Sequence, residues 1–218
     1  MQQLPFTPTE FFDVFAAYNA ALWPGALALW FISVALVALA AGMTTPPSRA
    51  LSALLAAHWA WSALAYHAAF FTKVNPMAWL FAALFLIQAA AFLWYGVVQQ
   101  RIQFTAGRSW RHVAGAALII AALLYPIVHL AQSALSARVP TFGVPCPTTL
   151  LTIGLLLPAA LPSWRLAVIP VGWSILAGSA SFFFGVHADV LLPVAAVVWV
   201  ISLALPEHAM KQEASCSL

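Results

Sequence analysis

Three side chains in this sequence could hold a metal ion or form a thiol–imidazole pair. His67 and His129 fall within apolar segments, a few residues from their ends, and Cys146 opens another apolar segment. Thiolate and imidazole together suit a soft or borderline divalent cation. A thiol beside an imidazole is also how a cysteine nucleophile is paired with its base. Both chemistries stay open for this trio, and a metal ion is the cofactor that these residues suggest.

The segment from Pro140 to Thr149, PTFGVPCPTT, is the most distinctive stretch of the chain. Three prolines and a glycine in ten residues predict a defined loop. We expect Cys146 to cap a helix, with Pro147 at the first helical position and Thr148 in the first turn. The free N–H groups of a helix start could hold an anion. The alternative is an inert cysteine that packs as a small apolar residue.

Other polar residues are predicted to lie on the same side of the protein as these three. Tyr125 precedes His129 by one helical turn and shares its face. We therefore predict a ligand-binding site on that side, although connecting segments are often polar for no functional reason. Its candidate residues are Glu10, His67, Asn75, Tyr125, His129, Cys146, Thr148 and Asp189.

The composition identifies the elements that must position these side chains. Of 218 residues, 64% are hydrophobic and only 13 are charged. A soluble domain is about 25% charged, so we predict a polytopic membrane protein whose main partner is the lipid bilayer. The cations are scattered, which excludes a nucleic-acid-binding face. The sequence does not set an oligomeric state.

We predict an all-α membrane bundle of about seven transmembrane helices, preceded by a short amphipathic helix. The sequence Thr7-Pro8-Thr9-Glu10 is a capping box that starts this helix. Residues 1–20 are predicted to lie at the membrane interface, 21–206 to form the bundle, and 207–218 to be a cytoplasmic tail. The predicted spans are 21–41, 50–71, 76–98, 112–134, 147–162, 164–185 and 190–206. The fifth is short and bounded by prolines, so full crossing is left open.

The distribution of lysine and arginine predicts the orientation. With seven crossings, one side carries six cations and the other carries Lys73 and Arg138. The positive-inside rule then places the N-terminus outside and the C-terminus in the cytoplasm. The two cysteines, Cys146 and Cys216, lie on opposite sides and should not pair. The six cations are Arg49, Arg101, Arg108, Arg111, Arg165 and Lys211.

Two polar residues are predicted to lie deep in the bundle. We expect His58 to hydrogen-bond to a neighbouring helix, with Gln88 as a candidate partner. The small residues of Gly178-Ser-Ala-Ser181 predict close helix packing. No lysine lies within a span, which excludes a retinal Schiff base, and no P-loop motif is present.

Four stretches together resemble a bacterial family of uncharacterised multi-helix inner-membrane proteins. They are LPFTPTEFFDVFAAYNAALWP, AYHAAFFTKVNP, PTFGVPCPTT with the LTIG that follows, and GWSILAGSASFFFGVHADVLL. The resemblance implies a location in the bacterial inner membrane and no particular activity. Ser62 and Tyr66-His67-Ala68 are similar to seven-helix, zinc-dependent amide hydrolases that include alkaline ceramidases. The paired histidines that family uses on its last helix are absent, because His187 stands alone.

These observations lead to one functional hypothesis and two alternatives. The first is an integral inner-membrane protein that binds a small solute or a metal ion at its outer face, for transport or sensing. The second is an intramembrane enzyme that uses Cys146, His67 and His129, either as a thiol nucleophile with its base or as a zinc hydrolase. The third is a structural membrane subunit whose polar residues satisfy one another.

Overall fold

A computed structural model describes residues 6–132, 140–159, 164–184 and 187–205, with the backbone alone at 128–132, 180–184 and 187–188. These residues form seven α-helices and no strand, so the predicted all-helical fold is confirmed. The helices are α1 (Pro8–Ala41), α2 (Ser48–Trp61), α3 (Ala78–Ala91), α4 (Trp110–Gln132), α5 (Pro145–Leu156), α6 (Trp164–Phe184) and α7 (Leu191–Ala204). Two π-helical segments, Ser62–Ala68 and Phe92–Val98, continue α2 and α3.

Among the described residues, three helical stretches are long and apolar enough to cross a membrane. They are Pro8–Ala41, Ala78–Val98 and Trp110–Ile127, whereas α5 and α7 are apolar but shorter. An 18-residue helix is about 27 Å long, close to the ~30 Å hydrocarbon layer of a bilayer. The described residues thus form a helical protein with three helices that could cross a membrane, and not the seven that the sequence predicts.

The N-terminal helix differs from the prediction. The capping box forms as expected, because the Thr7 N–H donates to Glu10 Oε2 (2.8 Å) and the Glu10 N–H donates to Thr7 Oγ1 (3.3 Å). However, α1 then continues for 34 residues without a break, so the predicted short helix and the first span are one element. The alanine-rich stretch before Pro24 contains no stop signal, and a membrane helix tolerates an internal proline.

The ends of the helices lie side by side at two opposite ends of the bundle. The start of α4 meets the end of α7, because Arg111 donates to the carbonyls of Ser202 and Leu205. The α2 start meets the segment before α4 where the Phe104 N–H donates to Ser48 Oγ (2.9 Å). We call this the arginine-rich end. The described cations lying there are Arg49, Arg101, Arg108, Arg111 and Arg165, and the other end, the Lys73 end, carries the remaining described one.

Helix α5 lies at the centre of the bundle. Eleven of its twelve residues are buried, the exception being the half-buried Cys146. It crosses α4 closely, since a Cβ atom added to Gly115 would lie 2.5 Å from the Gly154 carbonyl oxygen, and one added to Gly154 would lie 2.7 Å from the Gly115 oxygen. Other helices therefore surround α5 along its length.

Two glycine substitutions test this crossing. We expect Gly115→Ala and Gly154→Ala each to lower stability by about 1–3 kcal/mol, because the added methyl group forces two backbones apart. Gly172→Ala is the matched control, since nothing lies within 4 Å of a Cβ atom there, and it should be neutral or stabilising by up to about 1 kcal/mol. Melting temperature in detergent is the measurement. Equal stability of all three variants would contradict the close crossing.

Candidate functional site

The proline-rich segment before α5 is held by hydrogen bonds from two other helices. The Phe142 carbonyl accepts from the Tyr18 hydroxyl of α1 (3.1 Å), and the Gly143 carbonyl accepts from Ser62 Oγ (2.7 Å). Gly143 has a φ of +82°, and a Cβ atom there would lie 2.7 Å from Trp61 Nε1. Glycine is therefore required at this position, both by its backbone conformation and by lack of space.

Helix α5 begins two residues earlier than predicted. Val144 is its N-cap and Pro145 its first residue, so Cys146 occupies the second helical position and is not the cap. Pro145 suits the first position because its missing N–H would have no helical partner there. The loop and the proline together place the Cys146 side chain at the Lys73 end of the central helix.

Three of the predicted site residues lie together: Tyr125, Cys146 and Asp189. The Tyr125 hydroxyl donates to Asp189 Oδ1 (2.5 Å), and the Cys146 thiol lies beside both side chains. Asp189 is only 3% exposed, although it lies in the 3-10 turn His187–Val190 between α6 and α7. The pKa of its carboxyl is raised to about 6, because the effect of burial outweighs the lowering effect of hydrogen bonding from Tyr125 and Cys146. The carboxyl therefore titrates close to neutral pH.

His67 lies in the π-helical segment Ser62–Ala68 and is fully buried. Its ring packs against aromatic side chains of α3 and α6, with centroid separations of 4.8 Å to Phe85, 5.2 Å to Trp173 and 5.7 Å to Phe81. Neither ring nitrogen has a hydrogen-bond partner. Buried polar atoms are nearly always hydrogen-bonded in proteins, so this histidine requires an explanation.

Trp173 connects His67 to the group around Cys146. Its indole Nε1 is also buried without a hydrogen-bond partner of normal geometry, and its side chain lies beside the Cys146 thiol. We call these five residues the Cys146 cluster: His67, Tyr125, Cys146, Trp173 and Asp189. Sequence reasoning missed Trp173 because an aromatic residue within an apolar helix carries no distinguishing signal.

The other predicted site residues lie elsewhere or have local structural roles. Glu10 is exposed and caps α1. Asn75 is buried, and its Oδ1 accepts from the Met77 N–H (3.0 Å) in the turn before α3. The side chain of His129 lies outside the described residues, although its backbone is one turn beyond Tyr125 in α4. Among the side chains that are described, no group of three or more histidine, cysteine or acidic residues could hold a metal ion.

Thr148 belongs to a second polar group, centred on His58. The His58 ring hydrogen-bonds through Nε2 with Ser33 Oγ of α1 (2.8 Å) and through Nδ1 with Thr148 Oγ1 of α5 (3.4 Å). The prediction that His58 bonds to neighbouring helices is confirmed. Gln88 is not its partner, because Gln88 Nε2 donates to Leu166 O (2.8 Å).

The two buried histidines predict opposite effects of the same substitution. His67→Leu removes unpartnered polar atoms at similar volume, so it should stabilise the protein by about 1–3 kcal/mol in the absence of ligand. His58→Leu breaks two interhelical hydrogen bonds and should destabilise it by about 1–3 kcal/mol. Thermal unfolding of the purified variants measures both. A destabilising His67→Leu would mean that the imidazole has a structural partner.

Comparison with known proteins identifies a family for this chain. No curated protein and no solved structure matches the chain. A family described as "Family of unknown function (DUF6064)" matches residues 8–214, nearly the whole length. The expected resemblance to an uncharacterised family is thus confirmed, and the match covers all seven helices and the Cys146 cluster. The chain belongs to DUF6064, a family of unknown function.

Proposed function

We propose that this protein is an integral protein of the bacterial inner membrane that crosses the bilayer seven times. The meeting of helix ends at two ends of the bundle supports alternating crossings. Helix α2 and its π-helical continuation together comprise the unbroken stretch 48–68, which is long enough to cross. The shorter α5 is enclosed by protein, where a reduced length is tolerated.

The proposed orientation has the N-terminus outside and the C-terminus in the cytoplasm. Its support is the division of charge: of the described lysines and arginines, five arginines lie at one end and Lys73 lies at the other. All three described carboxylates, Glu10, Asp13 and Asp189, lie towards the Lys73 end. Arginine and lysine accumulate in cytoplasmic segments of membrane proteins, so the arginine-rich end is assigned to the cytoplasm.

Within this frame, the proposed function is the binding of a small polar solute by the Cys146 cluster, near the outer face. The observation that carries this proposal is the buried imidazole of His67, whose two nitrogens have no partner. An unsatisfied buried polar group costs about 1–3 kcal/mol. A leucine or phenylalanine would avoid that penalty, since the surrounding rings are apolar. Ligand binding gives a physical reason for a histidine there.

The available groups indicate the kind of solute. A neutral imidazole supplies one donor and one acceptor, the Trp173 indole supplies a donor, and the Asp189 carboxylate supplies acceptors. A small solute with both donor and acceptor groups would complement this set. A metal ion would need His129 as a further ligand beside His67 and Cys146, and the binding experiment below therefore includes metal ions.

Binding, rather than transport, is the part of the proposal with support in the contacts. From the Cys146 cluster inward, the next polar group comprises Thr148, His58 and Ser33, whose hydrogen bonds are mutual. Transport would require a second conformation that extends this path to the arginine-rich end. A thiol nucleophile with His67 as its base is not favoured, because His67 has no hydrogen bond to Cys146.

The orientation is tested by cysteine accessibility. In a background lacking Cys146 and Cys216, Ala69→Cys places a thiol at an exposed position of the Lys73 end, and Ala106→Cys places one at an exposed position of the arginine-rich end. An impermeant maleimide applied to spheroplasts should label the first variant only. The second should react after permeabilisation, which serves as its control. The reverse pattern would overturn the proposed orientation.

Solute binding is tested by thermal stabilisation of the purified protein. Wild type, His67→Leu and His58→Leu are melted with a panel of amino acids, amines, polyols and inorganic anions, and with Zn²⁺, Cu²⁺ and Ni²⁺. A bound solute at 100 times its Kd stabilises the folded state by about 2.7 kcal/mol. At least one solute should raise the melting temperature of wild type and His58→Leu but not that of His67→Leu.

Three further results bear on the same experiment. Stabilisation by a metal that disappears in His129→Ala as well as His67→Leu would assign the site to a metal ion. Equal stabilisation of wild type and His67→Leu would place the bound solute elsewhere. A panel without effect on wild type, together with normal growth of cells carrying His67→Leu, would favour the structural subunit.

A further inference from the structure

A cavity lies at the arginine-rich end, far from the Cys146 cluster. It has a volume of about 620 Å³ and lies between the start of α2 and the π-helical segment that ends α3. Gln100, Ile102 and Gln103, from the segment between α3 and α4, form its third wall. Its lining includes Pro47, Arg49, Ala53, Val97, Gln100 and Ile102.

The walls of this cavity are held in place by hydrogen bonds. The Phe104 N–H donates to Ser48 Oγ (2.9 Å), and this bond holds the segment that forms the third wall against α2. The Arg101 N–H donates to the Tyr95 carbonyl (2.8 Å). On the floor, Gly96 lies so close to Ser52 that a Cβ atom would overlap its side chain. The cavity is therefore preformed and does not depend on a loose loop.

The charges around the cavity are unbalanced. The described residues at this end include five arginines and no aspartate or glutamate. Arg49 lies on the cavity rim, is exposed, and makes no hydrogen bond or ion pair with any other described residue. The remaining walls are largely aliphatic, formed by proline, alanine, valine and isoleucine. A ligand that fits these walls combines one anionic group with hydrocarbon.

We infer that this cavity binds one anionic phospholipid of the cytoplasmic leaflet. Arg49 would bind the lipid phosphate, and an acyl chain would lie against Ala53 and Val97. Guanidinium groups bind phosphate through paired, charge-assisted hydrogen bonds, and basic pockets between helices on the cytoplasmic side suit anionic headgroups. The inference rests on the proposed membrane embedding and orientation but not on the Cys146 cluster, so His67 variants should leave it unchanged.

Native mass spectrometry of the detergent-purified full chain tests this inference, with phosphatidylglycerol and phosphatidylcholine as the two probes. Wild type should retain one phosphatidylglycerol at least tenfold more tightly than phosphatidylcholine. Arg49→Gln should weaken phosphatidylglycerol binding about tenfold, as loss of one charge-assisted contact predicts. Arg165→Gln is the matched control, since it removes the same charge at the same end, where Arg165 lies over the Trp164 ring outside the cavity lining.

A second variant tests the apolar part of the cavity without changing charge. Ala53 is exposed in the cavity wall, so Ala53→Phe should block the acyl chain and reduce phosphatidylglycerol binding while Arg49 is retained. Circular dichroism and gel filtration verify that each variant is folded. Normal binding by folded Ala53→Phe would overturn the inference, as would equal losses in Arg49→Gln and Arg165→Gln.

Free phosphate is the remaining alternative ligand, and competition separates it from the lipid. Addition of millimolar sodium phosphate should not displace phosphatidylglycerol, because the free anion gains nothing from the apolar walls. Displacement at that concentration would mean that Arg49 binds phosphate alone, and the lipid assignment would be wrong. Equal retention of the two lipids would likewise exclude an anionic-lipid site.

Discussion

The enclosure of α5 is the constraint on which the rest of the structure depends. In a bilayer every backbone polar group needs a partner within the protein, and a twelve-residue helix is too short to cross alone. In the proposed membrane setting, surrounding α5 with α2, α4, α6 and α7 meets this requirement. Its entrance loop is completed by hydroxyl donors from two helices, Tyr18 and Ser62. The close approach of Gly115 and Gly154 then brings α4 against it.

The two buried histidines show that some polar side chains of the interior have hydrogen-bond partners and others do not. His58 sits where α1, α2 and α5 meet, and each ring nitrogen has a hydroxyl partner. His67, nine residues later, has none, although both side chains are fully buried. A histidine thus links three helices through hydrogen bonds at position 58, whereas at position 67 it has no hydrogen-bond partner. This contrast, along one continuous helical stretch, makes His67 the stronger candidate for contact with a ligand.

Much of the fold could be predicted from the sequence because hydrophobicity is strongly segregated along it. The capping box at Thr7, the loop before α5 and the interhelical bond of His58 all follow from local residue chemistry. The continuity of α1 could not be predicted in this way. Alanine favours the helix and gives no signal for a break between the first turns and the apolar stretch that follows. At the site, Tyr125, Cys146 and Asp189 were all named from their expected depth, and the structure brings them together. Asn75, Glu10 and Thr148 share that depth but bond elsewhere, since depth alone gives no position around the bundle.

The two π-helical segments explain how irregular positions arise in otherwise regular helices. A π-helix inserts one residue per turn relative to an α-helix, which rotates the side chains beyond it, and such segments are often found at functional sites. The segment Ser62–Ala68 places the Ser62 hydroxyl against the loop before α5 and the His67 ring against aromatic rings of α3 and α6. Phe92–Val98 carries Gly96 against Ser52 and forms the floor of the cavity at the arginine-rich end. The same departure from α-helical geometry thus accompanies both proposed sites. A purely structural bundle could dispense with it, because regular α2 and α3 helices would pack their apolar faces without leaving an unpartnered imidazole or a preformed cavity.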